Sequence, residues 1–296
     1  MSQMKKYDVR KLAKEEFPAQ LLEIPQPPKE LWIAGKLPDR ETVLLTVVGA
    51  RKHTTYGKEA CEELISGLRG YDIAIVSGLA IGIDTIAHEA AMRAGLRTIA
   101  VPGSGLSPEV IYPRMNANLA SRIIESDGVL LSEFDPNFKA TQWGFPQRNR
   151  IMAGLSRATL IIEAEQKSGT LITARLATDY NRDVFAVPGS IFSETSRGPN
   201  KLIEQGATPV SSAKDILLAL GFTVEEESTE CFDISEISPQ EVRVIELLSE
   251  PQKRDHIIEA LGFSVSEGNI LLMKMEIAGL IKETPDGMRR VFNIKK

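Results

Sequence analysis

The sequence predicts a doubly wound α/β fold with a mostly parallel sheet, followed by a small C-terminal domain. From Val43 onward, short apolar segments alternate with helical stretches. Most of these segments lack polar alternation, which is typical of strands buried on both faces. Nearly every one ends in small or glycine residues, as loops at the carboxyl edge of such sheets do. After an acidic run at 225–230 a second periodicity begins, which indicates a separate domain.

The predicted elements alternate regularly along the first part of the chain, as βα units require. Strands are predicted at 44–48, 73–76, 98–101, 128–131, 159–162 and 184–187. Helices are predicted at 56–68, 84–94, 116–125, 148–155 and 171–180.

Four regions are predicted. Residues 1–41 form a lead-in, since Pro25, Pro27 and Pro28 prevent long regular structure there. A Rossmann-like domain spans 42–222, an acidic linker spans 223–236, and a last domain spans 237–296.

The last domain is predicted to be a winged helix. Its pattern gives helices at 241–248, 254–261 and 266–278, then a β-hairpin at 280–283 and 289–294 around Pro285–Asp286–Gly287. The third helix carries Lys274 as its single cation, together with Glu267 and Glu276. Binding to DNA and a packing or partner-binding role both remain open for this domain.

Composition excludes several classes of protein. The 296 residues are 43% hydrophobic and carry a net charge of −5, so a nucleic-acid site has to be a local basic patch. The charged N-terminus and the lack of a long apolar run predict a cytoplasmic protein without a membrane span. Two distant cysteines and three scattered histidines predict no metal site.

The stretch 145–150 is the strongest candidate for a site. No acidic residue occurs between 136 and 162. Pro146 suits the first turn of a helix, which places Arg148 and Arg150 near the positive end of the helix dipole, with Asn149 between them. Phe145 just upstream could stack on a base. Each residue alone also fits a capped helix with surface arginines and a buried Trp–Phe pair, whereas the six together predict an anion site.

Other loops add groups suited to phosphate. Arg51 follows the first strand in a loop that lacks Walker A spacing, and Arg114 adds a cation near the third strand. The segment 102–108 starts like a dinucleotide fingerprint, but Pro108 replaces its third glycine. Asp84 and His88 fit an acid/base pair or a cap that orients an imidazole; the second is preferred because no nucleophile accompanies them.

The loop after the fifth predicted strand opens a helix with Ser168, Gly169 and Thr170. The N-terminus of this helix is a second position suited to phosphate. Convergence of these loops on one rim is expected. The expected groups are Arg51, Arg148, Asn149, Lys139 and residues 168–170. Several phosphate-binding positions without a metal cluster or a nucleophile–base pair describe a track for a linear polyanion rather than a catalytic pocket.

The ordered motifs GARKHTTYG, SGLAIGIDTIAH, FPQRNRIMAGLS, EAEQKSGTLITARLA and VFAVPGS resemble the DNA-processing protein A family (DprA, also called Smf) over residues 18–220. The resemblance implies an extended Rossmann-like fold that binds single-stranded DNA, protects it on entry and loads RecA recombinase in natural transformation. It also implies a homodimer that acts without catalysis and without a nucleotide cofactor.

The resemblance further implies that Arg51, Arg148, Asn149 and the backbone of 168–170 contact DNA, with Lys139 and Arg114 at positions of further cations. Arg150 and Phe145 complete the predicted DNA-binding set. The late apolar segments 202–203 and 216–220 are candidates for the dimer surface. The alternative is an enzyme resembling nucleoside monophosphate phosphoribohydrolases, which use a PGGxGT loop and a following glutamate base. Here Leu171 and Ile172 follow the loop instead.

Overall fold

The computed structural model describes residues 7–224, 237–284 and 287–291. The chain divides into two compact units, Met1–Thr223 and Val224–Lys296. Most of the predicted linker lies outside the described residues, so the boundaries at 223 and 236 remain predictions.

The first unit is built on one sheet, with nine strands among the described residues. In chain order they are β1 (Arg10–Lys11), β2 (Trp32–Ala34), β3 (Val43–Val48), β4 (Ile73–Ser77), β5 (Thr98–Ala100), β6 (Val129–Ser132), β7 (Ala158–Ile161), β8 (Asp183–Ala186) and β9 (Thr208–Pro209). The spatial order is β1-β2-β6-β5-β4-β3-β7-β8-β9. All neighbours from β6 to β9 pair in parallel, while β2 and β1 are antiparallel additions at one edge.

The strand order reverses between β3 and β7. From β3 the chain builds outward through β4, β5 and β6, then returns to place β7 on the other side of β3. Loops leave β3 and β7 in opposite directions at this point, and the gap between them is where open α/β sheets bind ligands.

Helices pack on the sheet in two groups, α2 with α3 and α8, and α5 with α1 and α6. Their bounds are α1 (Ala19–Leu22), α2 (Thr55–Ser66), α3 (Ile83–Ala94), α4 (Ala117–Glu125), α5 (Gly144–Leu155), α6 (Gly169–Asp179), α7 (Arg197–Glu204) and α8 (Ala213–Ala219). The six predicted strands and five predicted helices are all present, within two residues at their ends apart from α5. That helix begins four residues early, with Pro146 still in its first turn. Arg148 and Arg150 consequently lie in the second turn of α5, and the prediction that both sit at its positive end is wrong.

The described part of the predicted lead-in belongs to the sheet domain. β2 pairs with β6, and α1 packs on α5. Gly154 of α5 permits this approach, because a Cβ there would lie 2.8 Å from Ile24 and 3.1 Å from Leu21. Both of these side chains are buried in the core.

The second unit contains α9 (Pro239–Leu247), α10 (Arg254–Leu261), α11 (Val265–Ile277) and the hairpin β10 (Ile281–Thr284) and β11 (Gly287–Arg290). Ser238 and Ser264 form capping boxes with Glu241 and Glu267, which fix where α9 and α11 begin. Leu272, Met275 and Met288 are fully buried in its core. The predicted turn residues Pro285 and Asp286 lie outside the described residues.

His88 is buried in the first unit and gives a test of how stability depends on acid pH. Imidazole Nδ1 of His88 lies 2.7 Å from Thr98 Oγ1, which donates to the Ile75 carbonyl, so His88 Nδ1 carries the proton. Burial, with a smaller effect of Arg148, lowers the pKa of His88 to about 3. Between pH 6.5 and 3 the unfolded chain binds a proton at this site that the folded chain does not, so stability falls as pH falls.

We expect His88→Asn to lose less stability on acidification than the wild type, by up to about 1.4 kcal/mol per pH unit. Urea unfolding followed by tryptophan fluorescence between pH 6.5 and 4 measures this. The only two tryptophans, Trp32 and Trp143, both lie in the first unit and report its unfolding. Parallel pH profiles of the two proteins would contradict the assignment.

Candidate nucleic-acid interface

A groove of about 440 Å³ lies where the strand order reverses. The loops after β3 and β7 form its walls, and the N-termini of α5 and α6 open into it because helices that connect parallel strands begin at the carboxyl edge. Its polar and charged lining consists of Arg51, Lys52, Asp84, Arg148, Asn149, Glu165, Ser168, Thr170 and Thr173. Gly169 and Phe145 also line it. Seven of the ten predicted DNA-binding residues therefore line one groove, namely Arg51, Phe145, Arg148, Asn149, Ser168, Gly169 and Thr170.

The loop after β3 presents its cations to solvent. Arg51 and Lys52 are both exposed. The guanidinium carbon of Arg51 lies 5.6 Å from the centre of the Phe145 ring, a distance at which a cation is attracted to the ring face. Arg51 is thus oriented over the groove without an ion pair among the described residues.

Phe145 is held from more than one side. Its ring lies against Gly103, where a Cβ would come within 2.5 Å, and its centre is 5.6 Å from that of Tyr112. Together with Arg51 these contacts occupy much of the ring. Trp143 is 55% exposed and packs edge-on against Phe134. The buried Trp–Phe pair considered as an alternative is therefore not present.

Arg148 is buried at the bottom of the groove, with only 5% of its surface exposed. Its Nη1 donates to the Val101 carbonyl at 2.7 Å, and its Nε is buried without a hydrogen-bond partner among the described residues. Burial lowers the pKa of Arg148 to about 10; Asp84 opposes this shift, and Arg51 adds to it. The guanidinium remains charged at neutral pH and contributes positive potential from below the groove surface.

Asp84 receives backbone N–H groups of the loop after β4. Its Oδ2 accepts from Gly78 N at 3.1 Å and from Ala80 N at 3.3 Å. Burial raises the pKa of Asp84, and Arg148 acts against that shift. The prediction that Asp84 orients the imidazole of His88 is wrong, because Thr98 holds Nδ1 and His88 Nε2 has no hydrogen-bond partner among the described residues.

The N-terminus of α6 is tied to both neighbouring walls. Ser168 caps the helix by accepting from Thr170 N at 3.1 Å, and Thr170 Oγ1 donates to Gly49 O at 3.0 Å. Asn149 Nδ2 lies 3.5 Å from Gly169 O. Gly169 itself is exposed, and a Cβ there would meet nothing within 4 Å. The start of α6 is therefore open to solvent at Gly169, at the positive end of the helix dipole, while Thr170 N is already bonded to the Ser168 side chain.

A buried carboxylate that the sequence reasoning missed fixes the outer part of the β3 loop. Glu163 is 1% exposed and accepts hydrogen bonds from Thr54 N (2.9 Å), Thr54 Oγ1 (2.6 Å) and Thr195 Oγ1 (2.9 Å). Gly57 leaves room for it, since a Cβ there would overlap the carboxylate. No pattern in the sequence separates Glu163 from the exposed Glu165 two residues later.

Three predicted residues lie outside the groove. Arg150 pairs with Glu133 and donates to the Gln26 carbonyl at 2.7 Å. Arg114 donates to the Pro108 carbonyl at 2.6 Å, and Lys139 is exposed but does not line the groove. The expected convergence of Lys139 with Arg51 is therefore not found. The segment before Lys139 is bonded instead to the loop after β5, where Gly105 N donates to Phe138 O at 2.8 Å. Contact of these three residues with DNA remains a prediction.

The third helix of the second unit presents apolar side chains to solvent. Ile270, Met273 and Ile277 are 55%, 59% and 81% exposed and lie at helical spacing along α11. Lys274 is the one cation of this helix. A helix that reads the DNA major groove needs polar and basic side chains in these positions, so the exposed face of α11 does not have the chemistry of base recognition.

Fold and groove together define a class: a Rossmann-like domain with a groove lined by Arg51, Lys52 and Arg148, followed by a winged helix. Comparison with known protein families identifies the family to which the chain belongs. Residues 9–221 match the model described as DNA recombination-mediator protein A, and residues 233–287 match the DprA winged helix domain. The chain belongs to the DNA recombination-mediator protein A (DprA) family, as its motifs predicted.

Individual relatives agree with this family assignment. Protein Smf of Escherichia coli is 36% identical over 95% of this chain and 78% of its own length. The X-ray structure of DNA processing protein A from Streptococcus pneumoniae has a TM-score of 0.67 at 40% identity, covering 75% of this chain and 77% of that one. A structure of the Helicobacter pylori protein, described for its unique single-stranded DNA binding mode, has a TM-score of 0.64 at 30% identity, covering 72% of this chain and 96% of that one.

The described part of the chain contains no helix that is long and apolar enough to cross a bilayer. Within the same residues, no three His, Cys, Asp or Glu side chains lie where they could hold a metal ion together.

The role of Glu163 as a clamp can be tested by stability. We expect Glu163→Ala to lower the free energy of unfolding of the first unit by about 2–4 kcal/mol, because it leaves three donors without their shared acceptor. Glu165→Ala is the matched control and should change stability by less than about 0.5 kcal/mol. Urea unfolding followed by tryptophan fluorescence compares the two. Equal effects would show that Glu163 does not hold the loop.

Proposed function

We propose that this protein binds single-stranded DNA in the groove between β3 and β7, protects incoming DNA and loads RecA recombinase during natural transformation. The observation that carries the proposal is the meeting of exposed cations with the open N-terminus of α6 in one groove. Guanidinium and ammonium groups and free backbone N–H groups are the donors that phosphate oxygens accept from. An open groove with such donors suits a flexible strand.

The exposed Arg51 and the buried Arg148 have different roles in the proposed groove. Arg51 and Lys52 are exposed and can reach phosphates directly. Arg148 is buried and held by the Val101 carbonyl, so it acts mainly by fixing α5 and by adding positive potential. Asn149 links α5 to the start of α6, and Thr170 links α6 to Gly49 at the end of β3.

The family supports the parts of the proposal that go beyond the groove. The Helicobacter pylori relative is described as binding single-stranded DNA, and the other relatives are named as DNA-processing proteins. RecA loading, a cytoplasmic location and a homodimer are proposed for this chain by that resemblance.

The surface considered for the dimer becomes narrower in the structure. Ile216, Leu217 and Leu220 are buried within the first unit, whereas Leu218 is 55% exposed. Leu202 and Ile203 of α7 are partly buried, so the proposed dimer surface is reduced to Leu218 and these two residues. Light scattering at tens of micromolar measures the oligomeric state directly.

The proposed role is non-enzymatic. Of the groove carboxylates, Asp84 is buried and already accepts two backbone N–H groups. In the rival phosphoribohydrolase reading a glutamate base follows the phosphate loop, whereas Leu171 and Ile172 occupy that place. Incubation with nucleoside monophosphates should release no free base; steady release that is lost in Asp84→Asn or Glu165→Gln would favour the enzyme.

Arg51 gives the most direct test of the groove. We expect Arg51→Ala to weaken binding of oligothymidine and to reduce the slope of log K against log salt by about 0.7, since one phosphate contact is lost. Arg157→Ala is the matched control, because this exposed arginine precedes β7 at the opposite edge of the sheet. Anisotropy titrations at several salt concentrations measure both. Equal slopes for Arg51→Ala and the wild type would contradict the proposed contact.

Arg148 should behave differently from Arg51. We expect Arg148→Ala to weaken DNA binding and also to lower the stability of the first unit by about 1–3 kcal/mol, because the Val101 carbonyl and Asp84 lose their partner. Arg51→Ala should leave stability within about 0.5 kcal/mol of the wild type. Thermal unfolding beside the binding titration separates the two. Weaker binding by Arg148→Ala at unchanged stability would assign Arg148 a direct contact.

A further inference from the structure

A turn after β8 carries the most exposed large apolar side chain of the described residues. Ile191 is 76% exposed and Phe192 is 90% exposed. Both lie at the tip of the turn Ser190–Ser193, in which Ser193 N donates to Ser190 O at 3.0 Å. A ring this exposed is accessible to a partner, and a contact on its face would remove apolar area from water.

Hydrogen bonds on both sides hold this turn in place. Ser190 Oγ accepts from Phe192 N at 3.2 Å. Gly189 and Asn200 exchange two hydrogen bonds, from Gly189 N to Oδ1 at 3.2 Å and from Nδ2 to Gly189 O at 3.0 Å. The aromatic ring is therefore presented by an ordered segment, which lowers the entropic cost of binding to it.

The turn is anchored to the same loop that lines the groove. Tyr56 donates to the Pro188 carbonyl at 2.6 Å, and Glu163 holds both Thr54 and Thr195. The loop 49–56 thus lines the groove with its first residues and supports the turn with its last ones. Between these ends lie Arg51, Lys52 and His53, all exposed.

We propose that Phe192 is a stacking platform for a base of single-stranded DNA that leaves the groove past Lys52 and His53. This inference rests on the proposed function of the groove. The exposed cations between groove and turn complement a phosphate backbone, and a single aromatic ring is a platform that every base can use. Ser190 and Ser193 flank the apolar tip, so it lacks the broad apolar area of a protein interface.

The test compares oligothymidines of about 5 and about 20 nucleotides by fluorescence anisotropy. We expect Phe192→Ala to bind the longer strand roughly 5- to 100-fold more weakly and the shorter one as the wild type does. The dependence of log K on log salt should not change, since stacking releases no counterions. Phe192→Tyr should bind like the wild type, and Phe192→Leu like Phe192→Ala.

Ile191→Ala is the matched control. It removes a neighbouring exposed apolar side chain that has no π face, and its affinity for both strands should equal that of the wild type. Thermal unfolding of each variant confirms that the fold is intact, as expected for side chains at an exposed tip.

The outcomes separate this inference from the proposal it rests on. No binding of DNA by the wild type would overturn both. Binding that needs Arg51 but is the same in Phe192→Ala, or equal weakening for the two lengths, would overturn the platform alone. Wild-type affinity in Phe192→Leu would show that stacking is not involved. A wild-type dimer that Phe192→Ala converts to a monomer would assign the ring to a second copy of the chain.

Discussion

The groove depends on a buried charge at the point where the strand order reverses. The Arg148 guanidinium lies out of water, joined to the Val101 carbonyl after β5 and close to Asp84 of α3. A buried charge is tolerated only when nearby dipoles and opposite charges compensate it. α5 is consequently held against the loop after β5 and the start of α3, and its N-terminus faces the loop after β3.

Around Arg148 and Asp84, buried groups hold the loops in place and exposed groups supply the positive charge. Glu163, Thr170 and Asn149 hold loops at fixed positions through hydrogen bonds to neighbouring segments. Arg51 and Lys52 remain at the surface, where they can follow a mobile ligand. Buried groups thus fix the loops, while the cations that line the groove stay exposed to solvent.

The alternation of apolar segments and helices was enough to predict the parallel sheet, because strands buried on both faces leave a strong pattern. β1, β2 and β9 were missed: each has two or three residues, too few for any periodicity. The site was harder to predict in detail. Arg148 and Arg150 are two residues apart, yet one is buried under the groove and the other pairs with Glu133. Sequence spacing places both near the helix start but does not fix which face of α5 turns inward.

The balance of charge in the groove sets how it can hold a polyanion. Arg51 and Lys52 are the exposed cations that line it, and Glu165 is an exposed carboxylate at the same rim. Under the proposed function, two exposed cations give few direct phosphate contacts and a modest salt dependence, so backbone N–H groups and aromatic rings would supply the remaining affinity. This agrees with a chain whose net charge is −5, in which any site for a polyanion has to be a local one.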